Sequence, residues 1–331
     1  MKHGGNVWET AFPEQWLDFS ANLRPEGTPE WVMRVMRDSL KDTRYYPDRT
    51  MSAARRGLAA WLQVPVENVL PTAGGASAID LILSLRKGTV YTYPITFGEY
   101  AERSAVHKRK CDSWQGRCQI NDTVMLCNPN NPTGRCAARA DMLRVFETAR
   151  ADGGDLVVDE AFIDFCPENS VRHEVQTGLS VVGSLTKTLC IPGVRLGYVC
   201  AEPPVIRSLE QRILPWSLST LASAVAAALP EHRQDMAKDL LHNVARRQQL
   251  TEQLQKLPAE VWPSQSNFLL VDFKRDMTRI AEWLRTQGIL VRTCGSFGLP
   301  PQFLRLAVKT EKENAMLLQA LRKGMEKCDA R

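Results

Sequence analysis

The chain has 331 residues, 44% of them hydrophobic and 24% charged, an ordinary make-up for a folded protein with room for one large domain and a smaller one. Lys plus Arg is 42 against 37 for Asp plus Glu, so the charge of +5 is too small and scattered for nucleic acid but suits an anionic small molecule. Nine cysteines without a Cys-x-x-Cys pair, five dispersed histidines and no apolar run near the roughly 18 residues of a membrane span disfavour a disulfide scaffold, a metal site and a membrane anchor.

Met1-Lys2-His3-Gly4-Gly5 does not read as a secretory leader, so reduced thiols and a cytoplasmic location are expected. The chain begins as an irregular arm, His3-Gly4-Gly5-Asn6, followed by Leu17-Asp18-Phe19-Ser20-Ala21-Asn22. Thr28-Pro29-Glu30 supplies an N-cap and a first-turn proline, predicting a helix to about Leu40. Arg44-Tyr45-Tyr46-Pro47-Asp48 reads as a loop, and residues 52–62 as an amphipathic helix closed before Pro65.

From Val69 strands and helices alternate. Strands are expected at 69–72, 89–93, 123–127, 156–158, 179–185 and 196–200, with helices at 78–85, 97–106 and 138–151. That order predicts a doubly wound, mostly parallel sheet with helices on both faces. Past Pro215 the pattern changes to helices at 217–229 and 232–257 and strands at 268–273, 290–293 and 304–308, a smaller α+β unit. The expected division is an arm and helix over 1–40 packing with the small domain, a large domain over 41–215 and a small domain over 216–331.

Polar and glycine-rich residues gather at the predicted strand ends, where open α/β sheets bind ligands. Lys187 emerges at the end of the apolar run 179–185, and in such a place desolvation and neighbouring positive charge can leave its amine neutral and nucleophilic. Ser184, Thr186 and Arg195 are donors suited to a phosphate, and Gly74-Gly75-Ala76 opens a helix whose free N–H groups can hold one. On its own a glycine pair before a helix is more often a simple turn. Asn131 can donate to a phenolic oxygen or belong only to a Pro-rich turn, and Asp159 can pair with a protonated pyridine nitrogen or face solvent. Phe97 can stack on a ring, though taken alone a core position is the commoner fate of such a residue. An aldehyde cofactor with a phosphate, such as pyridoxal 5′-phosphate, accounts for all of them in one chain order.

Asn-Pro-Asn-Asn-Pro-Thr-Gly at 128–134, Asp-Glu-Ala-Phe at 159–162 and Ser-Leu-Thr-Lys…Gly-Val-Arg-Leu-Gly-Tyr over 184–198 resemble the histidinol-phosphate aminotransferase branch of the aspartate-aminotransferase fold type of pyridoxal-phosphate enzymes. With His3-Gly4-Gly5-Asn6 and Asp159-Glu160-Ala161-Phe162-Ile163-Asp164-Phe165 added, the chain is similar to the threonine-phosphate decarboxylases of cobalamin biosynthesis within that branch. The resemblance implies an α/β fold of type I and a homodimer. Lys187 would then hold the cofactor covalently, with Asp159 at the pyridine nitrogen, Asn131 at the phenolic oxygen and Phe97 on the ring face. Gly75, Ala76, Ser184 and Arg195 would hold the phosphate, with Tyr46 reaching it from the partner subunit. It also implies that Arg305 grips the substrate carboxylate, with His3, Asn22 and Arg292 as candidates for the substrate's phosphate or carboxylate. The implied activity is α-decarboxylation of a phosphorylated hydroxy-amino acid, threonine phosphate or serine phosphate. Alternatives are an aminotransferase of the histidinol-phosphate type and, from another class, a cofactor-binding regulator, which is expected to need a DNA-binding module for which no spare N-terminal region is read here. Two departures stand out: Ala73-Gly74-Gly75-Ala76-Ser77 is less polar than the usual turn, and Phe162 stands where transaminases commonly have tyrosine, a replacement shared by the decarboxylases.

Overall fold

The computed structural model describes residues 4–9 and 12–329. In chain order it runs β1 (Leu17–Asp18), α1 (Glu30–Ser39), α2 (Ser52–Leu62), β2 (Val69–Thr72), α3 (Gly75–Leu83), β3 (Val90–Thr92), α4 (Glu99–Val106), β4 (Cys111–Ser113) and β5 (Thr123–Cys127). There follow α5 (Arg139–Ala151), β6 (Asp155–Asp159), β7 (Leu179–Ser184), β8 (Gly197–Cys200), α6 (Pro203–Glu210), α7 (Thr220–Ala228) and α8 (Arg233–Leu254). The remainder is β9 (Glu260–Val261), β10 (Phe268–Asp272), α9 (Thr278–Thr286), β11 (Ile289–Leu290), β12 (Arg292–Thr293), β13 (Phe303–Ala307) and α10 (Glu311–Asp329).

Seven strands form the large sheet in the order β2-β8-β7-β6-β5-β3-β4. From β4 across to β7 the pairings are parallel, and β8 runs antiparallel between β7 and β2. The central strands β5 and β7 are buried along their whole length, as expected where helices cover both faces, which is why they read as unbroken apolar runs. Leu126, Val158 and Val182 anchor this core with no exposed surface.

The second sheet is antiparallel, in the order β12-β13-β10-β9. Strand alternation decides what each face carries. On β13, Leu304 and Leu306 pack into a cluster with Leu269 and Val271 of β10 and Leu250 of α8, so Arg305 between them points to the opposite face. β1 pairs in parallel with β11, which brings the arm's Phe19 into that cluster.

The structure divides the strand expected over 290–293 in two, because Ile289–Leu290 bonds to β1 while Arg292–Thr293 bonds to β13. Four elements carried too weak a pattern to be expected: two-residue β1 and β9, β4 with its polar Cys-Asp-Ser, and α6, whose opening Pro203-Pro204 nevertheless fits the first turn of a helix. The loop before α2 has a capping role, since Asp48 accepts from the Ser52 backbone N–H at 2.8 Å and its hydroxyl at 2.7 Å.

Candidate active site

β5, β6 and β7 end side by side, and the residues just past their carboxyl ends line a cleft of about 790 Å³. Its wall includes Gly75, Ala76, Phe97, Asn131, Asp159, Ser184, Lys187 and Arg195 from the large sheet's side, Asn22 from the arm, and Arg292 and Arg305 from the small sheet. Eleven of the sequence-expected positions are therefore brought together. His3 lies outside the described residues. Tyr46 is 81% exposed, packs against Trp216 with ring centroids 4.8 Å apart and does not line the cleft.

Lys187 donates to Thr186 Oγ1 at 2.8 Å, and Thr186 shares a 2.8 Å hydrogen bond with Ser184. Burial and then the nearby Arg195 guanidinium lower the Lys187 amine from 10.5 to about 8, against the opposing pull of Asp159. A lysine so placed can shed its proton near neutrality. Asp164 accepts from Thr188 at 2.7 Å, tying the lysine loop to the segment that follows β6.

Asp159 ends β6 with both oxygens engaged: Oδ2 accepts from the Tyr100 hydroxyl at 2.6 Å and Oδ1 from the Ala161 backbone N–H at 2.9 Å. Burial raises its pKa while these donors oppose that shift, so the site is built for a carboxylate that meets a cation. Tyr100 is fully buried, and burial followed by the Asp159 charge pushes its hydroxyl well above its usual range, which keeps it a donor. Sequence patterns did not single out Tyr100; its place one helical turn after Phe97 is the only signal, and its partner lies in a distant strand. Phe97 packs edge-on against the Tyr100 ring, 5.7 Å between centroids.

Asn131 accepts from Arg305 Nη1 at 2.7 Å, which leaves its amide NH₂ as the group to offer a ligand. Arg305 Nη2 donates to the Ser20 carbonyl at 2.5 Å, and the guanidinium lies over the Phe268 ring at 5.5 Å. Burial brings Arg305 down to about 10. Arg292, also buried, donates to Ser296 at 2.6 Å and stands directly opposite Arg305 across the β12–β13 ladder. Like charges in cross-strand register repel, so an arrangement of this kind is made good by an anion. The Asn22 side-chain oxygen is buried without a hydrogen-bond partner in the same cleft.

The end of the cleft at the start of α3 is shaped by close approach. A Cβ at Gly74 would sit 2.6 Å from Arg195 Nη2, so glycine lets that guanidinium lie across the turn at the start of α3. Gly74 also has φ +85°, open to glycine at little cost. Gly197 lets β8 run against the same turn, since a Cβ there would meet the Gly74 carbonyl carbon at 2.5 Å and the Gly75 nitrogen at 2.7 Å. The α3 N–H groups, Ser184 and Arg195 thus surround one point suited to an anion. The arm closes the opposite end: Gly5 N–H donates to Ser20 Oγ at 2.7 Å, and Val7 and Trp8 line the cleft, two residues with no distinguishing mark in the sequence.

Residues 14–321 match the family described as aminotransferase class I and II. The chain is 33% identical to a threonine-phosphate decarboxylase from Salmonella typhimurium, covering 97% of this chain and 95% of that one. It is 31% identical to histidinol-phosphate aminotransferase 1 of Pasteurella multocida, over 84% of this chain and 85% of that one. Its fold matches the crystal structure of L-threonine-O-3-phosphate decarboxylase from Porphyromonas gingivalis with a TM-score of 0.84 at 23% identity, covering 93% and 99% of the two chains.

Proposed function

The chain belongs to the class I and II aminotransferase family, and from that premise we propose that it is a pyridoxal 5′-phosphate enzyme that decarboxylates L-threonine O-3-phosphate to 1-aminopropan-2-yl phosphate for the cobalamin side chain. The observation that carries this is the buried pair Arg292 and Arg305 in direct register beside Lys187, two cations for a substrate with both a phosphate and a carboxylate. The donor set fits the cofactor as well: a turn cleared by Gly74 and Gly197 for its phosphate, a buried carboxylate at Asp159 and a lysine with a depressed pKa.

Lys187 would hold the cofactor covalently, Asp159 would face the pyridine nitrogen, and Asn131 the phenolic oxygen. Gly75, Ala76, Ser184 and Arg195 would take the phosphate. Bound there, pyridoxal phosphate supplies a positively charged ring that accepts the electron pair left at Cα when the carboxylate departs. The protein's part is orientation. Arg305 would hold the substrate carboxylate, and Arg292 and Asn22 its phosphate or carboxylate, so that the two ends of the substrate fix the angle at which the Cα–carboxylate bond is presented. Lys187, with its amine lowered to about 8, would be placed to return a proton to Cα. Phe162, edge-on to Phe268 at 5.1 Å, offers no hydroxyl to the phenolic oxygen, unlike the tyrosine common in transaminases.

The proposal extends to a cytoplasmic homodimer in which Tyr46 of each subunit reaches the other's cofactor phosphate, and to the domain division at residues 41 and 216. No helix among the described residues is long and apolar enough to cross a membrane. The deciding experiment incubates the purified protein with threonine phosphate and follows carbon dioxide against keto-acid formation, with serine phosphate in parallel. Carbon dioxide release, faster with threonine phosphate, is expected. Amino transfer to 2-oxoglutarate without carbon dioxide would replace this function with that of an aminotransferase. One methyl group discriminates by only about 1–3 kcal/mol, so slower turnover of serine phosphate is consistent with the proposal.

A further inference from the structure

Behind the cleft wall, Cys136 and Cys166 bring their sulfurs to 3.2 Å, with the Cys166 thiol donating to Cys136. Among the described residues no other pair of cysteines is in hydrogen-bond contact. The two belong to different loops. Cys136 lies in the turn after β5 that carries Asn131, and Cys166 lies in the segment after β6, beyond Phe162 and downstream of Asp159 at the strand's end.

The pair is asymmetric. Cys136 is half-buried, whereas Cys166 is 4% exposed. The hydrogen bond from Cys166 lowers the Cys136 thiol pKa, with help from the Asn169 side chain against burial and Glu168. Cys166 is raised, first by Cys136 and then by burial, so its proton stays in place. A partly exposed sulfur that accepts a hydrogen bond from a buried thiol in direct contact is an arrangement in which one cysteine can be oxidised and the other can resolve it.

We propose that Cys136 and Cys166 form a reversible disulfide under a hydroperoxide oxidant, clipping the Asn131 loop to the segment that follows Asp159 and so reporting oxidation to the active site. The Cys136 thiolate attacks the peroxide oxygen: an S–O bond forms, the O–O bond breaks, and hydroxide or alkoxide leaves. Cys166 sulfur then attacks Cys136, the S–O bond breaks, and water departs with the Cys166 proton. The two thiols supply the two electrons that reduce the peroxide, and a dithiol reductant restores them. Closure needs the sulfurs to approach by only about 1 Å, to the roughly 2.05 Å of an S–S bond. The link to the active site rests on Asn131 and Asp159 as cofactor-holding residues; the disulfide does not.

The test treats the holoenzyme with limiting hydrogen peroxide, counts free thiols and maps peptides without reduction. The expected result is loss of two thiols, a peptide pair joined through Cys136 and Cys166, and full return with dithiothreitol. Cys136→Ser and Cys166→Ser each abolish the joined peptide, while Cys200→Ser leaves it intact. Because Cys166 is buried and its variant can fail to fold, Cys136→Ser at the more open position decides alone. Overoxidised Cys136 without a joined peptide, or unreacted thiols, would overturn the disulfide. Cofactor retention, read by absorbance after gel filtration, is expected to change reversibly in the wild type and not in Cys136→Ser. Unchanged retention after full closure would overturn only the coupling to the active site.

Discussion

Burial and the Arg195 guanidinium bring the Lys187 amine from 10.5 to about 8, which sets the pH at which it reacts. Uptake of cofactor by the apoprotein, followed by the absorbance of the lysine-bound form, is expected to rise about tenfold per pH unit below 8 and level off above. A midpoint near 10.5 would refute the depressed lysine. The same shift affects stability. Between about 8 and 10.5 the unfolded chain binds a proton that the native lysine lacks, so the apoprotein gains stability as pH rises through that window and carries the full penalty below it. Tyr100 is the residue whose contribution is easiest to isolate, because its 2.6 Å bond to Asp159 is made by a hydroxyl inside the core. Tyr100→Phe removes a hydrogen bond to a charged group, about 1.5–3 kcal/mol, and is expected to lower kcat about 10–150-fold with the fold retained. Wild-type kcat in the variant would show that Asp159 needs no such support.

The glycine-rich turn before α3 works as part of an element pair, because its shape is set by the strand behind it. Gly197 on β8 leaves room for the Gly74–Gly75 peptide, and a methyl group there has backbone on every near side. Gly197→Ala is therefore expected to cost about 1–3 kcal/mol of stability and to loosen cofactor binding by pushing the turn away from Ser184 and Arg195. Melting curves with and without cofactor test this; an unchanged cofactor-induced shift would mean that the turn does not hold the phosphate. β12 and β13 act in the same cooperative way, since their register puts Arg292 and Arg305 opposite each other while Leu304 and Leu306 hold the other face in the core.

At the scale of the whole molecule, Tyr46 at 81% and Trp216 at 47% exposure are in ring contact with each other on the surface, with Leu214 at 76% two residues before Trp216 in the chain. Exposed aromatic side chains packed on each other in this way suit an association surface. The expected assembly is a homodimer, with Trp216→Glu weakening both the dimer and cofactor retention. Light scattering on a size-exclusion column together with cofactor absorbance checks this. A wild-type monomer that holds cofactor fully would sink the contribution of Tyr46 across the interface.

The sequence by itself determined the large sheet and many of the residues that line the cleft, because buried parallel strands are apolar runs and the polar residues at their ends need only emerge in order, as Asp159 and Lys187 do. Boundaries held within a residue or two where such runs were clear, as at β5 and α2, and were lost where an element had two residues or mixed polarity, as at β1 and β4. Only the tertiary structure decided which distant groups meet. Tyr100 on Asp159, Arg305 on Asn131, Arg292 opposite Arg305 and Cys136 against Cys166 each join segments from different elements. Local patterning reports which face of a strand or helix is buried. It carries no record of what lies on the other side of that face, and chain packing supplies it.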